Sequence, residues 1–190
     1  MSRLRFTTAH EVLDTFPQAR ADIGREVPDA EPLACLDALA AADAGGAAVA
    51  FCAYLLPRRE AVWWACRALR LLLPMPTRND DAALKAAEAW AVAPDDARRR
   101  AALDLALASD LASPWPWPAL SAGWAGGSMS PGEHAVAVPP HLTAKAVRAA
   151  LLLGLAQVPP KSRGEKARQC LAIGRRLATG EEAVPPGQRR

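Results

Sequence analysis

Ala61-Val-Trp-Trp-Ala-Cys-Arg-Ala-Leu-Arg-Leu-Leu-Leu73 is a long helix-forming stretch in which two adjacent tryptophans must face different ways. At about 100° per residue, Trp64 falls with Ala65, Ala68, Leu69, Leu71 and Leu72 on a broad apolar arc, whereas Trp63 falls among Arg59, Glu60, Arg67 and Arg70. Trp64 is therefore a core residue. Trp63 is a large apolar ring in a charged stripe, with arginines four residues before and after it, within reach for guanidinium stacking worth roughly 0.5–2 kcal/mol. Two readings stand side by side. Another helix covers Trp63, since tryptophan is usually well buried, or the stripe is a docking surface.

The surroundings of this helix should be helical as well. At 190 residues the chain is long enough for one domain that buries about 70% of its unfolded surface without staples. Alanine makes up nearly a quarter of the residues and aromatics only 5%, a balance that favours closely packed helices over strands. Cys35, Cys52, Cys66 and Cys170 form no C-x-x-C pair, and the first three lie in apolar helical runs, so all four read as reduced core thiols of a cytosolic protein. The N-terminal residues lack the apolar region of a signal peptide, and the longest uncharged apolar run, Ala47 to Leu56, is too short to span a bilayer. No targeting segment or membrane partner is expected. The formal charge of +3 is uneven: Pro159 to Arg190 holds eight Lys/Arg against three Glu, so only the C-terminal end is basic.

In chain order, Thr8-Ala-His-Glu11 has the form of a capping box and starts a short helix through Leu13, ended or bent by Pro17. A loop from Gly24 leads to Pro32 as the first residue of a helix that Gly45-Gly46 breaks. A helix from Ala47 to Leu56, turned at Pro57, should form an antiparallel hairpin with the tryptophan helix, which Pro74 and Pro76 terminate. Asn79-Asp80-Asp81 caps a surface helix whose Ala83, Leu84, Ala87, Trp90 and Ala91 share one arc. Pro94-Asp95-Asp96 opens another, and its leucines at 103, 105, 107 and 111 predict a middle layer touching neighbours on two sides. Ser113-Pro-Trp-Pro-Trp-Pro118 reads as an extended lead-in to a short helix ending near Trp124, followed by a long connection from Gly126 to Pro140. Leu142 to Ala156 is apolar nearly all round, with a narrow polar stripe of Lys145 and Arg148, and a last helix runs from about Arg163 to Ala178. The expected architecture is all-α, an irregular bundle of stacked antiparallel helix hairpins, with a solenoid-like stack as the open alternative. Residues 1–180 form a single helical domain in this reading, and 181–190 a mobile tail.

Chemical motifs are missing from the chain. There is no nucleophile elbow, P-loop, dinucleotide fingerprint or His-Glu-x-x-His. Glu133, His134 and His141 flank the long connection without a helix to fix them as metal ligands, so no metal and no cofactor is expected. The acid pairs Asp80-Asp81 and Asp95-Asp96 sit at helix starts, where the helix dipole favours them. The basic C-terminal helix lacks interleaved aromatics, which favours a solvated face or an acidic protein partner over nucleic acid. Trp115, Trp117 and the connection to Pro140 could join Trp63 in a binding surface, because tryptophan and arginine concentrate at interface hot spots. They could equally fill gaps between alanine-rich helices.

Four stretches carry a resemblance: Pro57-Arg-Arg-Glu-Ala-Val-Trp-Trp-Ala-Cys66; Ala86-Ala-Glu-Ala-Trp90 with Pro94-Asp-Asp-Ala-Arg-Arg-Arg100; Gly123-Trp-Ala-Gly-Gly-Ser128; and Pro139-Pro-His-Leu-Thr-Ala-Lys-Ala-Val147. Over residues 45 to 158 the chain resembles a family of small α-helical bacterial proteins, a domain of unknown function associated with type VI secretion gene neighbourhoods. The resemblance implies an accessory or adaptor role beside a secretion apparatus, in handling spike or effector proteins, and supplies no catalytic residue. The expected function is that of a non-enzymatic cytosolic interaction protein that binds a protein partner through Trp63, Arg59, Arg67, Arg70, Trp115 and Trp117. The alternative is a small enzyme or ligand-binding protein with its site under the 126–140 loop, using His134 or His141 with a helix-borne arginine. Oligomeric state is left open by these residues.

Overall fold

The computed structural model describes residues 4–43, 45–129 and 136–186. Helix α1 (Ala9–Thr15) begins at the expected capping box: the Glu11 backbone N–H donates to Thr8 Oγ1 at 3.2 Å, and the Glu11 carboxylate accepts in return from the Thr8 N–H. Pro17 does end α1, but it also leads directly into α2 (Gln18–Ile23), a helix too short to show a period in the sequence. Gly24 closes α2 with φ of 68°, a left-handed value that glycine adopts without strain. Helix α3 (Pro32–Asp43) starts at Pro32 as expected, and α4 (Ala47–Leu55) has all nine residues buried. The tryptophan helix, α5 (Arg58–Leu72), starts immediately after Pro57.

Helix α6 (Arg78–Val92) is capped by Thr77, whose hydroxyl accepts from the Asp80 N–H, two residues earlier than the Asn-Asp-Asp reading placed it. Asp95 caps α7 (Asp96–Leu107) in the same way. The short α8 (Trp117–Gly123), α9 (Leu142–Gln157) and α10 (Pro160–Thr179) complete the chain order. Among the described residues the only pairing outside helices is a single antiparallel bridge between Ser128 and Ala137. The fold is all-α, a bundle of packed helices.

Helix α9 is a hub of the bundle, with α4, α5, α8 and α10 all packed on it. Two glycines make the approach close. A Cβ at Gly154 of α9 would lie 2.8 Å from Leu69 Cδ2, and one at Gly174 of α10 would lie 2.7 Å from Cys52 Sγ and 3.1 Å from the Trp64 ring. Trp64 is 0% exposed and its indole N–H donates to the Cys170 carbonyl at 2.7 Å, so both its apolar body and its polar edge are satisfied within the core. Trp64 is the core anchor that the helical arc predicts.

Two packing expectations are corrected. Helices α4 and α5 do not form a hairpin; α4 packs mainly on α3, α9 and α2 and α5 mainly on α9 and α10, because Leu56 and Pro57 are both extended and carry the chain away rather than reversing it. Helix α7 is no middle layer. It meets α6 and α8 through Arg99, Ala102, Leu103 and Ala106, while Leu107, at 63% exposed, and Leu105 face outward. Leucines two apart on a helix diverge by about 200°, so their spacing alone cannot require two covered faces.

All four cysteines are buried and free. Burial pushes the Cys35 thiol up to about 11 and the Cys170 thiol up to about 12, with Cys52 and Cys66 raised as well. A water-soluble thiol reagent should therefore label none of the four in the native protein and all four in denaturant, with native labelling limited by opening of the fold. Trp64→Ala should cost roughly 3–5 kcal/mol in denaturant unfolding. Gly174→Ala, which forces a methyl against Cys52 and Trp64, should cost about 1–3 kcal/mol by the same measurement.

Candidate functional site

The outer face of α5 carries the residues expected to dock a partner, and each is placed by a specific contact. Arg59 reaches the carboxyl end of α6, donating through Nε to the Ala91 carbonyl at 2.5 Å and through Nη2 to the Val92 carbonyl at 3.3 Å. Those carbonyls have no helical partner, so the guanidinium acts as their cap. Arg70 forms a two-pronged pair with Glu88 of α6 at 2.7 and 2.9 Å. The Arg70 guanidinium is correspondingly raised, first by the hydrogen bonds to Glu88. Arg67 lies 3.1 Å from a Glu182 oxygen, and Arg59 Nη2 also donates to the Pro185 carbonyl at 3.2 Å.

These last two contacts concern the segment expected to be mobile. Residues 181–186 lie along α5: Glu182 meets Arg67 and Arg176, Val184 is 4% exposed, and the Pro185 carbonyl meets Arg59. Because Arg67 holds 182 and Arg59 holds 185, the segment runs opposite to α5 along the turns that carry Trp63. Trp63 itself is half-buried, and its indole Nε1 is shielded without a hydrogen-bond partner among the described residues. It is neither a wholly covered core residue nor a free one. Residues 187–190 lie outside the described residues.

Trp115 and Trp117 separate. Trp115 is buried and lines a cleft of about 220 Å³ with Arg70, Leu73, Pro74, Met75 and Pro76, beside a Met75 that is 85% exposed. That cleft brings Trp115 to the edge of the α5 face. Trp117 instead donates its indole N–H to the Leu111 carbonyl at 3.0 Å and is half-buried against the core.

Under the 126–140 loop, Gly127 to Met129 fold back against Val136 to Val138, with the Met129 N–H donating to the Val136 carbonyl at 2.9 Å. Glu133 and His134 lie outside the described residues, and His141 is the first-turn neighbour of α9 without a side-chain cap. Among the described residues no three His, Cys, Asp or Glu side chains converge. The group beneath the loop is Arg99, which donates to Asp96 and to the Gly123 carbonyl, each at 2.8 Å. A Cβ at Gly127, where φ is +67°, would lie 2.7 Å from this guanidinium, and one at Gly123 would lie 2.7 Å from Leu103 Cβ. Two glycines of the Gly123 to Ser128 motif, Gly123 and Gly127, are thus explained by close packing on Leu103 and Arg99 of α7. Asp95 and Asp96 serve the start of α7: the Arg98 backbone N–H and the Arg99 side chain, respectively, hold their carboxyls below the usual range.

The basic α10 spends much of its charge internally. Arg163 donates to the Ala156 and Val158 carbonyls, Arg175 pairs with Asp37 at 3.0 Å, and Arg176 pairs with Glu182. The sequence reading missed a further polar cluster. Asp22 accepts from the Tyr54 hydroxyl at 2.5 Å and from Lys145 Nζ at 3.1 Å, with Arg148 at 3.9 Å, joining α2, α4 and α9. The one tyrosine in an apolar run was the available signal, because a buried phenol needs a partner.

Burial works to raise the Asp22 carboxyl, but the Tyr54 and Lys145 hydrogen bonds and the two nearby cations outweigh it and hold it below the usual range. A depressed carboxyl contributes stability that is present above its unfolded value, near 4, and lost as pH falls through the folded value. Unfolding measured from pH 6 to pH 2 should show Asp22→Asn less stable than the wild type at pH 6. The gap between them should narrow below about pH 4.

No helix among the described residues is long and apolar enough to cross a membrane. No curated protein and no solved structure is significantly similar to the chain. A family model does match, over residues 35–178, a wider span than the four motifs indicate: it takes in most of α3 and nearly all of α10. It includes Arg59, Trp63, Arg67 and Arg70 and stops short of the 181–186 segment that lies on them. With more than half of its length matched, the chain belongs to DUF6931, a family of unknown function.

Proposed function

We propose that the protein is a non-enzymatic interaction protein of the cytoplasm, an adaptor that holds a protein partner on the outer face of α5. The observation that carries this reading is Trp63. It is half-buried beside a tryptophan that is wholly core, it is flanked by Arg59, Arg67 and Arg70, and its shielded indole N–H has no acceptor among the described residues. Tryptophan and arginine dominate interface hot spots, and a buried donor left unmade is stabilised by any partner that supplies an acceptor. The cleft at Arg70 and Trp115, with exposed Met75 on its rim, extends the same face with an adaptable apolar lining. The resemblance to proteins of type VI secretion neighbourhoods makes a spike or effector protein the proposed partner. A small enzyme or ligand-binding site under the 126–140 loop is the weaker reading, since Arg99, the cation beneath Gly127, is already committed to Asp96 and the Gly123 carbonyl.

The test is affinity capture of the tagged protein from its own cells, wild type against Trp63→Ala. The interaction reading expects a protein recovered with the wild type and reduced by about tenfold or more with Trp63→Ala, at nearly unchanged thermal stability. Equal recovery by both proteins would remove Trp63 from the interface.

A further inference from the structure

Arg5 and Arg58 line one narrow hollow between the N-terminal segment, α4, α5 and α9, and neither has an acidic partner among the described residues. Both are held by neutral groups instead. The Arg5 guanidinium lies over the Phe6 and Phe16 rings at 4.7 and 5.5 Å, and Arg58 Nη1 donates to the Ala125 carbonyl at 2.8 Å. Burial, and after it the nearby Arg58 charge, lowers the Arg5 guanidinium from its ordinary value. Two like charges fixed at one hollow with no acid between them are an unfavourable arrangement that a bound anion relieves. The remaining walls add donors and no unmatched negative charge. The first turn of α9 contributes Thr143 and Ala144; it has no acid and no side-chain cap, and the N–H groups of these two residues have no acceptor among the described residues. The Tyr54 hydroxyl is committed to Asp22 and the Thr143 hydroxyl to the Trp124 carbonyl. Asp22 is in turn matched by Lys145 and Arg148. Three of the four motif stretches also meet here: 57–66 supplies Arg58, 139–147 supplies Thr143 and Ala144, and 123–128 supplies the Ala125 carbonyl.

We propose that this hollow binds a phosphate group, that of a small soluble phosphorylated molecule, between Arg5 and Arg58 at the start of α9. Two guanidiniums call for an anion of about two charges with three acceptor oxygens, which a phosphate monoester supplies. A carboxylate offers a single charge and two oxygens. Stacking on the phenyl rings orients Arg5 without using its N–H groups, so its donors are left for the ligand. The N–H groups of Thr143 and Ala144 add the donors that make a helix start favourable to phosphate. Both arginines are exposed, so the ligand reaches them without opening the fold. The hollow is narrow: it takes the phosphate group and leaves the rest of the molecule outside. The site uses none of Arg59, Trp63, Arg67 and Arg70, and it stands or falls independently of the partner face.

The test is isothermal titration calorimetry of the full chain with inorganic phosphate in low salt. It compares the wild type with Arg5→Gln, Arg58→Gln and, as a control, Arg98→Gln, whose side chain pairs with Asp95 on α7. The wild type should bind one phosphate about tenfold or more tightly than Arg5→Gln or Arg58→Gln do, and Arg98→Gln should match the wild type. Acetate should bind about tenfold or more weakly than phosphate, and added sodium chloride should weaken the binding of phosphate. Arg58→Gln also loses the hydrogen bond to Ala125, so Arg5→Gln, which removes no hydrogen bond, decides. Absence of heat at millimolar phosphate, equal affinity in the wild type and Arg5→Gln, or an equal loss in Arg98→Gln would overturn the proposal. So would acetate binding as tightly as phosphate, or an Arg5→Gln chain that has lost its helical circular dichroism, which would make Arg5 a structural residue. A second arm sediments the chain with vesicles of phosphatidylcholine and phosphatidic acid. A chain left in the supernatant makes the ligand a soluble phosphate; sedimentation that depends on Arg5 assigns the phosphate to a lipid headgroup and overturns the soluble ligand.

Discussion

An indole laid directly on a helix backbone sets the spacing of this bundle. Trp64 reaches α10 only because position 174 has no side chain, and the same glycine admits Cys52 from α4. Three helices thus meet at one point, and the indole N–H is satisfied there by the Cys170 carbonyl. Gly154 repeats the device between α9 and Leu69 of α5. Alanine-rich surfaces complete the arrangement, since short side chains let helix axes approach and leave the few large ones to interlock. The outer face of α5 is a by-product of that geometry. With Trp64 fixed inward, Trp63 has nowhere to go but the rim.

The arginines follow a second common rule. Helices α6, α8 and α9 have no basic residue in their last turns, yet the carbonyls at their ends are not left bare. Arg59 of α5 serves Ala91 and Val92, Arg99 of α7 serves Gly123, and Arg163 of α10 serves Ala156 and Val158. Cations favourable to the negative end of a helix are supplied from a neighbouring helix, so each cap is also a tertiary contact. Much of the positive charge that makes the chain look like a binding protein is therefore structural. Arg67 and Arg176 instead share one acid, Glu182, which ties residues 181–186 to α5 and α10.

The helices were legible where a cap or a long apolar period marks them. Thr8 with Glu11, Pro32, Asp95 and the apolar run of α9 all placed their elements within a few residues. Helix α2 was not legible, because six residues span less than two turns, and the α4–α5 pairing was misread because a proline in a short link does not by itself specify a reversal. The different placements of Trp63, half-buried, and Trp64, wholly buried, followed from helical geometry alone. The occupant of the Trp63 face did not, since Glu182 and Val184 form a segment too short to carry a period and their register on α5 is set by distant arginines. The Asp22 cluster was hidden for a like reason: Lys145 and Arg148 showed as a polar stripe, but their acid lies more than a hundred residues earlier in the chain.

Helix α4 has no residue facing solvent, and this bears on how the protein is made. Its nine residues are covered by α2 and α3, made before it, and by α9 and α10, made well after it. At ordinary elongation rates the ribosome needs on the order of ten seconds between releasing α4 and completing α9. Through that interval the most apolar segment of the chain has only α2 and α3 of its final neighbours, and the surface meant for α9 and α10 is open. Expression of the protein should therefore depend on holdase chaperones acting on the nascent chain far more than its small size implies.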